Sequence, residues 1–171
     1  MGKAVIAAFR DAGFRDVIVA ARNRESGPAL AKQYGFQWQP QPDGIACDIL
    51  VNVTPVGMAG GKESHELAYS EAMVAAACVV FDVVALPPET PVIRLARKRG
   101  KKTISGAEVI ALQAVEQFVL YTGIRPDATL FAAAALSDST MVAAALVAAL
   151  ASAFIVQSRR GARMANLIVI G

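Results

Sequence analysis

Aromatic residues make up only 6% of this 171-residue sequence, which also holds a single histidine and two cysteines. Cys47 and Cys78 stand far apart without C-x-x-C spacing, so neither a disulfide framework nor a structural zinc site is expected. Both read as buried small hydrophobes in a reducing compartment. His65 lies between Glu63 and Glu66 with no second His or Cys at ligand spacing, so no metal centre is expected. There is no Ser-His-Asp order, no P-loop and no internal repeat. No secretory leader is expected, because Arg10, Asp11, Arg15 and Asp16 interrupt the first apolar stretch, and a cytoplasmic chain is the expectation. No charge of one sign dominates. The net charge is +3, and the basic residues are scattered (Arg22 and Arg24, 94–102, 159–163) rather than interleaved with aromatics, which argues against a nucleic-acid partner.

What the sequence does have is aliphatic: 55% of it is hydrophobic, enough for one well-covered core. Residues 3–12 carry Val5, Ile6 and Phe9 at helical spacing and stop at Gly13, a left-handed cap. Residues 17–21 are too short and too uniformly apolar for an amphipathic helix and read as an interior parallel strand. A helix over 25–34, closed by Gly35, and a short strand over 36–38 follow. The segment 48–54 then forms the strand around which the chain is organised, ending abruptly at Pro55, which restricts the residue before it and cannot donate to a ladder. After it come a helix around 69–76, a strand over 78–84, a helix over 91–99, a strand over 102–105, and a helix over 108–122 that Gly106 precedes and Gly123 stops. Strands alternating with helices predict an α/β doubly wound parallel sheet.

In such a sheet the ligand crevice lies beyond the carboxyl ends of the strands. Arg22, Asn23 and Arg24 stand at the end of the 17–21 strand, where an acidic residue otherwise bonds ribose hydroxyls and a basic one accommodates a 2′-phosphate. Two guanidiniums there either grip a phosphate or are simply a solvated helix entrance. Asn52, Thr54 and Met58 project over the sheet top, as ligand contacts or as groups that satisfy loop amides, the commoner role of Asn and Thr in turns. Gly106 permits close backbone approach, and Gln113 on the next helix offers both donor and acceptor, although a lone helical Gln is usually a surface residue.

Taken in order, Asn52-Val53-Thr54-Pro55-Val56-Gly57-Met58, Phe81-Asp82-Val83-Val84, Thr90-Pro91, Ile104-Ser105-Gly106, Gln113-Ala114-Val115-Glu116-Gln117-Phe118 and Tyr121-Thr122-Gly123 form one signature. It resembles the nucleotide-binding half of shikimate dehydrogenases. The Ala21-Arg22-Asn23 run, the Gly60-Gly61-Lys62-Glu63 loop and Thr103-Ile104-Ser105-Gly106 look like the shikimate dehydrogenase-like branch of that family. The resemblance implies a Rossmann-like domain and reversible hydride transfer between NADP and a shikimate- or quinate-type polyol acid. It further implies adenosine-phosphate contacts at Asn23 and Arg24 with Arg22 adjacent, cofactor-side positions at Thr54 and Met58, and nicotinamide packing at Val83. Gly106 would meet the cofactor through its backbone, and Gln113 matches the substrate-contacting glutamine. Gln117 has no such match.

Two departures from that pattern set further expectations. The family's substrate domain, with its Lys and Asp pair for proton transfer, has no counterpart, so no catalytic residue is assigned. The first sheet strand and most of the Gly-rich phosphate loop also have none, leaving an NADP-binding domain over 1–136 that lacks its first strand and exposes hydrophobic edges. Weak NADP binding, no turnover of shikimate, and pairing as a homo-oligomer or with a complementing substrate domain follow from this. Residues 137–171 read as a hydrophobic and basic C-terminal extension with an added hydrophobic helix. Its charge-free 16-residue run over 141–156 is marginal for a membrane anchor, since a span needs ~20 apolar residues. The other readings are a non-catalytic remnant or binding module, and a membrane-associated interaction protein.

Overall fold

A computed structural model describes residues 2–42, 44–125 and 167–170. Its elements in chain order are α1 (Gly2–Asp11), β1 (Val17–Ala20), α2 (Ser26–Tyr34), β2 (Gln37–Gln39), β3 (Ile49–Asn52), α3 (Glu71–Ala76), β4 (Val79–Asp82), α4 (Pro91–Lys98), β5 (Lys102–Ile104), α5 (Gly106–Thr122) and β6 (Leu167–Ile170). The strands form one six-stranded sheet in the order β2-β1-β6-β3-β4-β5, and every pairing is parallel. The doubly wound α/β architecture read from the alternation of elements is therefore the one present.

Side-chain alternation along the strands divides the core into two layers. Val17 and Val19 of β1, Ile49 and Val51 of β3 and Phe81 of β4 pack under Val5 and Ile6 of α1, Ala31 of α2 and Val109 of α5. On the opposite face Ala20, Leu50 and Val80 meet Met73 and Val74 of α3 and Val92, Ile93 and Ala96 of α4. Apolar residues at both parities are what a strand covered on both faces requires, which is why β1 and the first three residues of β3 are continuous apolar runs.

Helix entrances follow local chemistry. Ser70 and Thr90 accept hydrogen bonds from the N–H groups of Met73 and Ile93, each at 3.4 Å. Ser105 and Glu108 close a capping box, with Glu108 N–H donating to Ser105 Oγ at 3.3 Å and Ser105 N–H donating to Glu108 Oε2 at 2.6 Å. That cap starts α5 at Gly106, so this glycine opens the helix rather than separating it from the strand. Of the two cysteines only Cys47 is buried, its thiol pushed up to about 11 by burial and then by Asp48; Cys78 is exposed, contrary to the sequence-based expectation.

The largest correction concerns the sheet's centre. The position between β1 and β3, expected to be vacant, holds β6. Its residues 167–170 pair with Val17–Ala20 on one side and Ile49–Asn52 on the other, four register pairs each. The pattern Leu-Ile-Val-Ile is another short, uniformly apolar run, so the segment carries the local signal of an interior strand although it stands at the opposite end of the sequence. Residues 167–170 thus pair into the same sheet as the strands of 1–136. The expected hydrophobic helix and the 141–156 run lie outside the described residues. Among the described residues, no helix is long and apolar enough to cross a membrane.

Candidate functional site

The carboxyl edge of β1 separates two cavities. One, of about 420 Å³, is lined by Arg22, Thr54, Glu63, Glu66 and Tyr69. The other, of about 580 Å³, is lined by Gly2 and Lys3 at the start of α1, Ala21, Asn23, Ser26 and Gly27. Both volumes fall in the range of small-molecule sites. The expected trio at this strand end is accordingly split: Arg22 faces one cavity, Asn23 the other, and Arg24 lines neither. Asn23 also holds the backbone, its Oδ1 accepting from the N–H groups of Glu25 and Ser26 at 2.9 Å each. Arg22 is three-quarters exposed and lies 3.7 Å from the Glu63 carboxylate, a counter-charge that competes with any incoming anion.

Asn52 does not project over the sheet top as expected. It is fully buried, and its amide is consumed internally: Nδ2 donates to Val56 O at 3.3 Å and to Asp82 Oδ1 at 3.0 Å, while Oδ1 accepts from Thr54 N–H at 3.0 Å and Thr54 O–H at 2.6 Å. Thr54 Oγ1 in turn accepts from Val56 N–H at 3.2 Å. The strand end ties itself into a turn; Thr54 and Val56 line the smaller cavity and Val53 the larger one. Met58 is exposed on the loop beyond. That loop is pinned where Gly57, at φ +87°, lies against Thr90 and Pro91, with 3.2 Å left for a Cβ.

The hub of this network is Asp82, fully buried at the end of β4. Its carboxylate accepts from Asn52 Nδ2, from Val84 N–H at 3.0 Å and from Thr90 O–H at 2.6 Å. Desolvation raises its pKa above the ordinary carboxylate value, against the three hydrogen bonds that favour the charged form. Sequence reasoning quoted Asp82 and Thr90 only as parts of a signature. An Asp inside an apolar strand and a Thr before Pro are the cues that mark a buried acceptor and a helix cap.

At the neighbouring corner, a Cβ on Gly106 would stand 2.4 Å from the carbonyl carbon and oxygen of Val84 and 2.6 Å from Val83 O. The close approach that demands glycine here is to the protein's own backbone. Val83 is partly buried, packs against the core and donates its N–H to Asn52 O at 3.0 Å. Gln113, expected as a ligand contact or a surface residue, is fully buried, and neither its Oε1 nor its Nε2 has a partner among the described residues. A buried amide with both ends unmatched is rare in a folded protein and marks a place where another polar group belongs. Among the described residues, no group of three or more His, Cys, Asp or Glu is placed to hold a metal.

No family model matches the chain. It is 54% identical over 135 residues to a shikimate dehydrogenase-like protein of Haemophilus influenzae, a match spanning 79% of this chain and 50% of that protein. To the NADP(+) shikimate dehydrogenase of Archaeoglobus fulgidus it is 38% identical over 143 residues, covering 79% of this chain and 52% of the other. Among solved structures, a shikimate 5-dehydrogenase-like protein superposes with a TM-score of 0.66 at 42% identity, covering 77% of this chain and 59% of that one. The chain spans about half the length of the curated relatives it matches.

Proposed function

On the premise that this chain is similar to shikimate dehydrogenases, and to their shikimate dehydrogenase-like branch, over about half their length, we propose that it is the NADP-binding part of an oxidoreductase acting on a shikimate- or quinate-like polyol acid. The observation that carries the reading is the pair of cavities flanking the end of β1, with Arg22 on one side and Asn23, Gly2 and Lys3 on the other. Both lie at the carboxyl edge of a parallel sheet, where a dinucleotide binds. Arg22 and Arg24 would select the 2′-phosphate, with Asn23 shaping the turn between them. Thr54 would bound the adenosine side, Met58 and Val83 the nicotinamide side, and Gly106 would contribute backbone. Asn52 acts from beneath by fixing Thr54. The cofactor, when bound, supplies or accepts hydride.

Gln113 deepens the reading. Its two unmatched polar atoms suit a hydroxyl or carboxylate of a polyol acid, as donor and acceptor at once. No acid–base pair for proton transfer is assigned to this chain, and the substrate-side wall would come from a further domain or a second copy.

The test is a titration of the purified chain with NADP and with NAD, followed by thermal shift and by fluorescence of Trp38, the sole tryptophan. Trp38 Nε1 donates to Ala21 O at 3.2 Å and its ring lies against Gly27, so it reports on the larger cavity's wall. Saturable change with NADP at a concentration at least tenfold below that needed with NAD is expected. Equal response to both, or response to neither, would overturn 2′-phosphate selection in the first case and nucleotide binding in the second.

A further inference from the structure

We propose that nucleotide binding at the carboxyl edge of the sheet is linked to the docking of residues 167–170 in the slot between β1 and β3. The inference rests on the nucleotide reading above but adds to it a site component, drawn from the opposite end of the sequence. Without β6, β1 and β3 would face each other across about two strand spacings, roughly 9.6 Å, with their central N–H and C=O groups unpaired in the middle of the sheet. Helix α1 contacts β6, and its Val5 and Ile6 share one core cluster with Val17 and Val19 of β1 and with Ile49 and Val51 of β3. The first three elements of a doubly wound sheet, a strand followed by a helix followed by the neighbouring parallel strand, are thus reproduced in space by 167–170, 2–11 and 17–20. Their order along the chain is rearranged, as in a circular permutation.

Val169 aligns with Val19 on one side and Val51 on the other, and all four residues of β6 are in step with both neighbours. Strand and slot belong to one polypeptide, so pairing in cis is intramolecular and independent of protein concentration. Linkage follows from position. In a parallel array the carboxyl end of β6 lies beside those of β1 and β3, the edge where Gly2, Ala21 and Val53 line the larger cavity. A nucleotide that binds there engages only the state with the strand docked, and so holds it in place.

The experiment uses the full chain carrying Cys47→Ala and Cys78→Ala, with Ile18→Cys and Ile168→Cys added at a register pair. Mild oxidation is expected to give a faster-migrating monomer on a non-reducing gel, since directly paired strands bring Cα atoms within disulfide reach. A covalent dimer would instead assign the strand to a second copy, and no cross-link would leave the slot without this occupant; either result overturns docking in cis. In parallel, hydrogen exchange of the unmodified chain should show 167–170 protected like 49–52. NADP at 100 times its dissociation constant should slow exchange at 167–170 about hundredfold. If NADP binds, by its thermal shift, but leaves exchange at 167–170 unchanged, the linkage fails while the nucleotide reading survives. If the cross-link forms and NADP gives no shift at all, the nucleotide reading fails, and the linkage with it, while docking stands.

Discussion

Asp82 shows how much of the crevice depends on one buried carboxylate. Asp82→Ala would strand three donors, Asn52 Nδ2, Val84 N–H and Thr90 O–H. At about 1–3 kcal/mol for each buried group left unsatisfied, a loss of at least ~3 kcal/mol in chemical unfolding is expected. Asp82→Asn keeps an acceptor for Asn52 and Val84 and should cost far less. The two forms also differ in pH dependence. Because the folded-state pKa is raised, the native chain binds the proton more tightly than the unfolded chain does. The associated stability is fully present below the ordinary Asp value and is lost as pH rises through the raised one. Urea midpoints of wild type, measured against Asp82→Asn over this acid range, should therefore fall relative to the variant as pH rises. Gln113 presents the opposite case. Replacing it with the similarly sized Met removes two unmatched polar atoms from a fully buried position, with an expected gain of roughly 1–3 kcal/mol in folding stability. The same variant should lose polyol-acid binding while its NADP response persists, by calorimetry with each ligand.

Among the elements, α5 is fixed to the sheet end through its first turn. Its first residue sits on the Val83 and Val84 backbone, with no room for a Cβ, and the capping box of Ser105 and Glu108 fixes its first turn. Backbone cannot yield as a flexible side chain does. Gly106→Ala is expected to cost about 1–3 kcal/mol or more through overpacking. It should also displace the helix that carries Gln113, so weakened binding should accompany the lower urea midpoint. A Gly106→Ala variant as stable as wild type would show that the contact relaxes freely. The glycine stops were legible from Gly35 and Gly123 because such signals act within four residues, whereas Ser105 and Thr90 were read only as parts of a signature and not as caps. The packing reason for Gly106 was not legible either, since the atoms it meets belong to residues 83 and 84, across a strand and a helix.

At the scale of the whole molecule, nucleotide binding at the sheet edge should appear as global stability. With NADP at 100 times its dissociation constant the gain is about 2.7 kcal/mol, and at 2–4 °C per kcal/mol for a chain of this size the melting temperature should rise by roughly 5–10 °C. A rise that does not saturate with NADP would count against a defined site. The sheet itself depends on pairing between residues 17–20 and 167–170, a contact of very long sequence separation. Such contacts come late and close slowly in folding, and that separation is also why the central strand went unread as part of the sheet: its local pattern was present, but its partner was far away.

Taken by itself, the amino-acid sequence determined what short-range physics controls. It set the alternation of helices with uniformly apolar strands, the caps and stops, the parallel doubly wound class, and the ordered signature that ties the chain to shikimate dehydrogenases. Only the tertiary structure decided which polar residues face a cavity and which are spent inside. Asn52 and Thr54 look alike at the end of a strand, yet Asn52 is consumed by Asp82 and Val56 while Thr54 keeps an open face. Tertiary structure also decided what fills the centre of the sheet, because a strand's neighbours are selected by hydrogen bonding and helix coverage in space, and nothing in the local composition of Leu167–Ile170 names β1 and β3 as its partners.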